Sequence, residues 1–99
     1  MPNVTVTNNE TSIAITRRFF EAMDYLVASR VVRGYKTVTD LWGIDRRNLA
    51  KLKADPVHRS MKAEYINYLE RDFCISSRWV VTGRGRMLLN APANREQNQ

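Results

Sequence analysis

The side chains with the most chemistry to offer stand together in Asp45-Arg46-Arg47-Asn48-Leu49-Ala50-Lys51-Leu52. An arginine presents two donors that match guanine O6 and N7, and an asparagine can pair with adenine. Read as a helix with Leu49 and Leu52 inward, the stretch turns Arg46, Arg47, Ala50 and Lys51 outward. Its N-terminus adds the positive end of the helix dipole, which favours a nearby phosphate. Arg46, Arg47 and Asn48 are therefore the candidates for reading base edges, and small Ala50 permits close approach. Lys51, Lys36 and Arg33 suit phosphates, and the Thr37 hydroxyl can add another such contact.

Other chemistry is poorly served. One His (His58) and one Cys (Cys74) are too few for a zinc site or an internal disulfide. Glu64, Glu70 and Asp72 are expected on an outer helix face, with nothing to pair them for acid–base work. No activated nucleophile or phosphate-cradling loop is visible, so an enzyme is the least favoured class; no catalytic residue, cofactor, metal or small-molecule substrate is expected. His58 reads as a surface capping residue and Cys74 as a small apolar residue at a buried corner. Trp42, Trp79 and Tyr65 read as core, and Tyr68 as rim, rather than as stacking platforms. Gly83-Arg84-Gly85-Arg86 reads as a turn after a capped helix, because a single copy is a weak match to repeated Arg-Gly segments.

Charge narrows the partners. Twelve of the sixteen basic residues are arginine, and the net charge is +6. Between Arg30 and Lys53 lie seven cations and two anions, so that window holds five of the six net charges. A concentrated field of one sign can guide a phosphate backbone to one face. The longest apolar run is the four residues Tyr25–Ala28, too short for a membrane span, and MPNVTVTNNETS lacks the features of a secretory signal. The expectation is a cytoplasmic protein with double-stranded DNA as partner and no membrane.

These residues must be held by a small fold. Ninety-nine residues make one domain. Phe19, Met23, Leu26, Val27 and Val31 recur at helical steps, which predicts a long helix over about 13–32, capped by Ser12 and stopped by Gly34. Thr37–Trp42 reads as a brief helix ending at Gly43. Asp45 then caps a helix from Arg46 to about Lys53, which Asp55-Pro56 ends. Met61, Tyr65, Leu69 and Phe73 predict a fourth helix that starts somewhere in 57–61, capped by Asp55 or by Ser60. Ser76 caps a last short segment closed by Gly83; it reads as helix, with a strand as the competing local reading because Val80-Val81 favours one. Met87-Leu88-Leu89 packs back on the core. Residues 1–11 read as a flexible arm, 12–89 as the folded DNA-binding domain and 90–99 as a disordered tail.

Val38, Trp42, Ile44, Leu49 and Leu52 are placed to lock two helices across a turn at Gly43, the pattern of a helix-turn-helix with its recognition helix at about 46–53. The stretch resembles the DNA-binding domain of lambda-repressor-like phage and bacterial regulators. A second segment carries the same resemblance: Ile75-Ser76-Ser77-Arg78-Trp79-Val80-Val81-Thr82-Gly83-Arg84-Gly85-Arg86-Met87 is similar to the V-S-x-x-W-L-L-T-G-x-G-x-M ending of such domains. The two segments together cover about residues 13–88. The resemblance implies an all-α, compact five-helix bundle with a long first helix, and operator binding as a repressor or other transcriptional regulator, commonly as a dimer. Two positions depart from the family pattern. Thr39 stands where a small alanine is usual, and Tyr35 where the motif opens on a phosphate-contacting glutamine. Relatives often continue into a self-cleaving domain; none is expected within these residues, where no Ser/Lys pair is in view.

A homodimer suits such a reader, since one short helix meets few base pairs; the long helix or the N-terminal arm could supply the contact. The competing reading is a protein-interaction adaptor or antirepressor that uses the same bundle without DNA.

Overall fold

A computed structural model describes residues 8–89. Residues 1–7 of the expected arm and the tail from Asn90 lie outside the described residues; residues 8–11 of that arm are folded rather than flexible, with Asn9 as a cap and Glu10 and Thr11 inside the first helix. Within the described residues the chain is all-α and forms five helices: α1 Glu10–Ala28, α2 Tyr35–Trp42, α3 Arg46–Ala54, α4 Glu64–Phe73 and α5 Ser77–Thr82. The only strand-like pairing among these residues is one antiparallel bridge, Ile75 with Leu88.

The long α1 is the frame on which the others pack. It starts a turn earlier than expected, because the Asn9 side chain accepts the Ser12 N–H at 2.8 Å and takes the cap role assigned to Ser12. Glu10 then sits in the first turn, where a carboxylate complements the dipole. The helix also stops earlier, at Ala28 rather than near Val32. Arg30 adopts φ 64, its N–H bonds Val27 O and the Val31 N–H bonds Leu26 O. That is a Schellman ending with an arginine where glycine is usual. It lets Val32 fold back and bury itself, which a continued helix would not. Gly34, expected to stop α1, instead caps the start of α2 with an extended backbone.

The core is built from Phe19, Phe20, Ala22, Met23 and Leu26 of α1, with Val38, Leu49, Leu52, Leu69, Ile75 and Val80 from the other helices and their links. Each large apolar side chain so buried contributes about 1.5–3 kcal/mol. Trp42, Trp79 and Tyr65 pack half-buried against this core, as expected of them.

Two links differ from expectation. The fourth helix begins at Glu64, and neither proposed cap is used. Asp55 accepts the His58 backbone N–H at 3.3 Å and faces the His58 ring at 3.1 Å, closing a turn. Ser60 donates instead to Asn8 Oδ1, and Asn8 Nδ2 donates to Pro56 O and Arg59 O. Asn8 thus clasps the α3–α4 loop. Beyond α4, Cys74 turns the chain with φ 57. The Ser76 N–H then bonds Met87 O, and the Leu89 N–H bonds Cys74 O, so Met87 and Leu88 pack back on the core while Leu89 stays exposed.

Arg18, half-buried on α1, reaches across to the end of α5. Its Nε donates to Val80 O at 2.7 Å and its Nη2 to Val81 O at 3.0 Å, capping α5 from α1. Ser76 caps the other end through the Trp79 N–H, and Glu70 accepts the Ser77 N–H. These caps hold Val80-Val81 in a helix despite its strand propensity.

Candidate nucleic-acid interface

α2 and α3 meet as the sequence pattern predicts. Gly43 takes φ 70 and ψ 34, a left-handed conformation that costs glycine little. The Ile44 N–H returns to Thr39 O at 2.9 Å, closing the turn. Val38, Leu49 and Leu52 are buried and Trp42 and Ile44 half-buried, so the angle between the two helices is set by packing. Thr39, where the resemblance leads one to expect alanine, is also buried; its hydroxyl donates to Lys36 O at 3.1 Å, so the polar atom is satisfied within its own helix.

Asp45 caps α3 by accepting the Arg47 N–H at 2.8 Å. Arg46, Arg47, Asn48, Ala50 and Lys51 are all exposed, as are Arg33, Lys36 and Thr37. At about 100° per residue, with Leu49 and Leu52 inward, Arg47, Ala50 and Lys51 form the outward ridge. Arg46 and Asn48 flank that ridge on opposite sides, so the three base-reading candidates fan around the start of α3 rather than share one line. Among the described residues no hydrogen bond or ion pair engages the side chains of Arg33, Arg46, Arg47, Asn48 or Lys51.

Two lysines of the same segment are committed elsewhere. Lys36 pairs with Asp40 at 2.8 Å on the surface of α2, with both side chains well exposed. Such a pair is weak and leaves the ammonium able to exchange partners. Lys53 turns away from the ridge: its Nζ donates to Asp24 Oδ1 at 3.0 Å and to Tyr35 Oη at 2.9 Å. Tyr35 in turn donates to Asp24 and stacks on Phe20 with ring centroids 6.2 Å apart. The residue that stands in place of the glutamine therefore joins α1, α2 and α3 internally. Burial, followed by the bond to Asp24, pushes the Tyr35 phenol up to about 12. The bond that Lys53 donates to Tyr35 is the first cause raising its ammonium above the ordinary value.

Residues outside the predicted set join the site. A cleft of about 460 Å³ opens between α3 and α4, and Asn48 lines it together with Arg59, Ser60, Lys62, Tyr65 and Tyr68. Arg59 and Lys62 are exposed beside one flank of α3. Their signal in the sequence is a pair of cations bracketing Ser60 and Met61 just past α3, beyond the window whose charge stood out. Trp42 forms the floor; its indole N–H donates to Asp72 at 2.9 Å, so Asp72 anchors the end of α2. Among the described residues no group of three His, Cys, Asp or Glu side chains could hold a metal ion, and no helix is long and apolar enough to cross a membrane. No family model matches the chain, and no curated protein or solved structure shows significant similarity to it.

Proposed function

We propose that this chain is a sequence-specific binder of double-stranded DNA, with α3 as the recognition helix of a helix-turn-helix and transcriptional regulation as its role. The observation that carries the reading is the division of labour among the cations of α2 and α3. Lys53 and, more loosely, Lys36 are paired with acids, whereas Arg46, Arg47 and Lys51 stand unpaired on a helix buttressed from behind by Leu49 and Leu52. Unpaired arginines on a rigid rod suit base edges, since the backbone is already ordered and no ion pair has to break before they bind. Arg33, Lys36 and Thr37 on one side, with Lys51 on the ridge, supply phosphate contacts; Arg59 and Lys62 extend that track along the other flank.

The test is selection of duplexes from a random pool at about 150 mM salt, where non-specific affinity is suppressed. A defined motif is expected, palindromic if a homodimer binds. Replacing Arg46 or Arg47 by Ala should cost about 1–3 kcal/mol on that motif and relax preference at one position. Ala50→Leu adds bulk at an exposed site, so it should weaken binding while leaving the fold intact. Equal affinity of the double variant R46A/R47A and the unchanged protein for the selected motif would end this reading.

A further inference from the structure

We propose that the arginine turn after α5 is a second docking surface, one that takes the phosphodiester backbone of another nucleic-acid segment. Arg78, Arg84 and Arg86 are exposed, and among the described residues none has a hydrogen-bond or ion-pair partner for its side chain. Residues 77–89 contain no acidic residue. Glu70 accepts the Ser77 N–H at the start of α5.

The turn is built, not loose. The Thr82 hydroxyl donates to Arg78 O at 2.7 Å and accepts the Arg84 N–H at 3.1 Å, which ties the two arginines to one side of the α5 end. Gly83 and Gly85 hold φ 74 and 85, and the segment is closed behind by the Ser76–Met87 and Leu89–Cys74 bonds. Arg18 lies against Gly83, where an added Cβ would stand 3.0 Å from its Nη1, so a fourth cation sits at this end of the molecule.

This surface is separate from α3. Asp24 of α1 holds Lys53 of α3, and Arg18 of α1 holds the end of α5. Six residues separate these two on α1, which at about 100° each sets their lines about 120° apart. Arg18 and Asp24 therefore hold the arginine turn and α3 on different sides of α1.

The chemistry favours a phosphate polyanion. Guanidinium forks match phosphate oxygens in pairs, and the two glycines place no side chain between that backbone and the turn. A membrane surface fits less well, because the large apolar side chains exposed here are only Val81, on a helix of six residues, and Leu89 beyond it.

Stoichiometry decides the matter. Short duplexes are titrated into the protein at about 50 mM salt, where non-specific binding is retained. The unchanged chain should bind two duplexes per protomer, R78A/R84A/R86A one, R46A/R47A/K51A one and the six-fold variant none. The second site should show a log–log salt slope of about −2.7, from three phosphates at about −0.9 each. Helical circular dichroism controls for folding. If the unchanged chain saturates at one duplex and R78A/R84A/R86A matches it in affinity and salt slope, the proposal is wrong. Retention by phosphatidylserine vesicles, with no second duplex bound, overturns it equally. If the α3 substitutions change nothing while the turn variant loses all binding, the α3 reading fails and the arginine turn stands.

Discussion

At the scale of the residue, the most consequential side chain is Tyr35. By resemblance its position was expected to hold a phosphate-contacting glutamine; in the fold the tyrosine is a joint. Its hydroxyl lies between Asp24 and Lys53, and its ring rests on Phe20. Both the phenol and the Lys53 ammonium titrate above their ordinary values. A group with a raised folded value gives its stabilisation in full below the unfolded value and loses it as pH climbs through the folded one. Stability should therefore decline between about pH 10 and about pH 12, the Tyr35 value in the fold. Urea denaturation across that window should show a shallower decline for Tyr35→Phe; an unchanged slope would mean that the joint contributes nothing. Thr39 makes a similar point more quietly. A buried hydroxyl that donates within its own helix is tolerated where alanine is usual, so Thr39→Ala should leave the fold and the approach of α3 to DNA intact.

At the scale of the element, caps decide where helices begin and end. The Asp45 carboxylate holds the first turn of α3 in the shape from which Arg46 and Arg47 project. Asp45→Ala should cost about 1 kcal/mol of stability, and Asp45→Asn much less, because the amide keeps the acceptor oxygen. Equal denaturation midpoints for the two variants would remove the cap from the account. Gly83 carries two constraints at once: φ 74 and the nearby Arg18. Gly83→Ala should destabilise by about 1–2 kcal/mol from the left-handed backbone alone. In an Arg18→Ala background the close contact disappears and that backbone cost remains, which thermal melts of the single and double variants can separate. The end of α2 and the start of α3 were legible because Gly43 marks the turn and Asp45 the cap; the start of α2 was not, since Gly34 caps it at Tyr35, two residues before the expected Thr37, instead of stopping α1. Nor was the end of α1. Nothing local distinguishes Arg30 as a left-handed residue; the burial of Val32 beneath the bundle selects it. The start of α4 was hidden for a related reason: Asp55 and Ser60 are good caps in isolation, but a turn and the Asn8 clasp claim them first.

At the scale of the whole molecule, the field matters more than any one pair. If Arg33, Lys36, Lys51, Arg59 and Lys62 each neutralise a phosphate, log Kobs should fall with log salt at a slope of roughly −4.5, about −0.9 per phosphate. Lys51→Ala should weaken all sequences alike and reduce that slope by about 0.9, whereas Arg47→Ala should act mainly on the preferred motif. Filter binding across a salt series reads both quantities, and a salt-independent affinity would exclude backbone neutralisation. The excess of charge between Arg30 and Lys53 already stood out along the chain, and so did the inward set Val38, Leu49 and Leu52, because helical period and charge are properties of neighbours in sequence. Which cations remain free was decided by the tertiary structure alone. Asp24 and Lys53 are far apart in the chain and become partners only because α1 and α3 pack together. Arg18 was indistinguishable from any surface arginine until α5 offered it two carbonyls. Local spacing specified the helices and their inner faces; pairing between distant segments, which depends on how those faces meet, determined the charge that is left to face a partner.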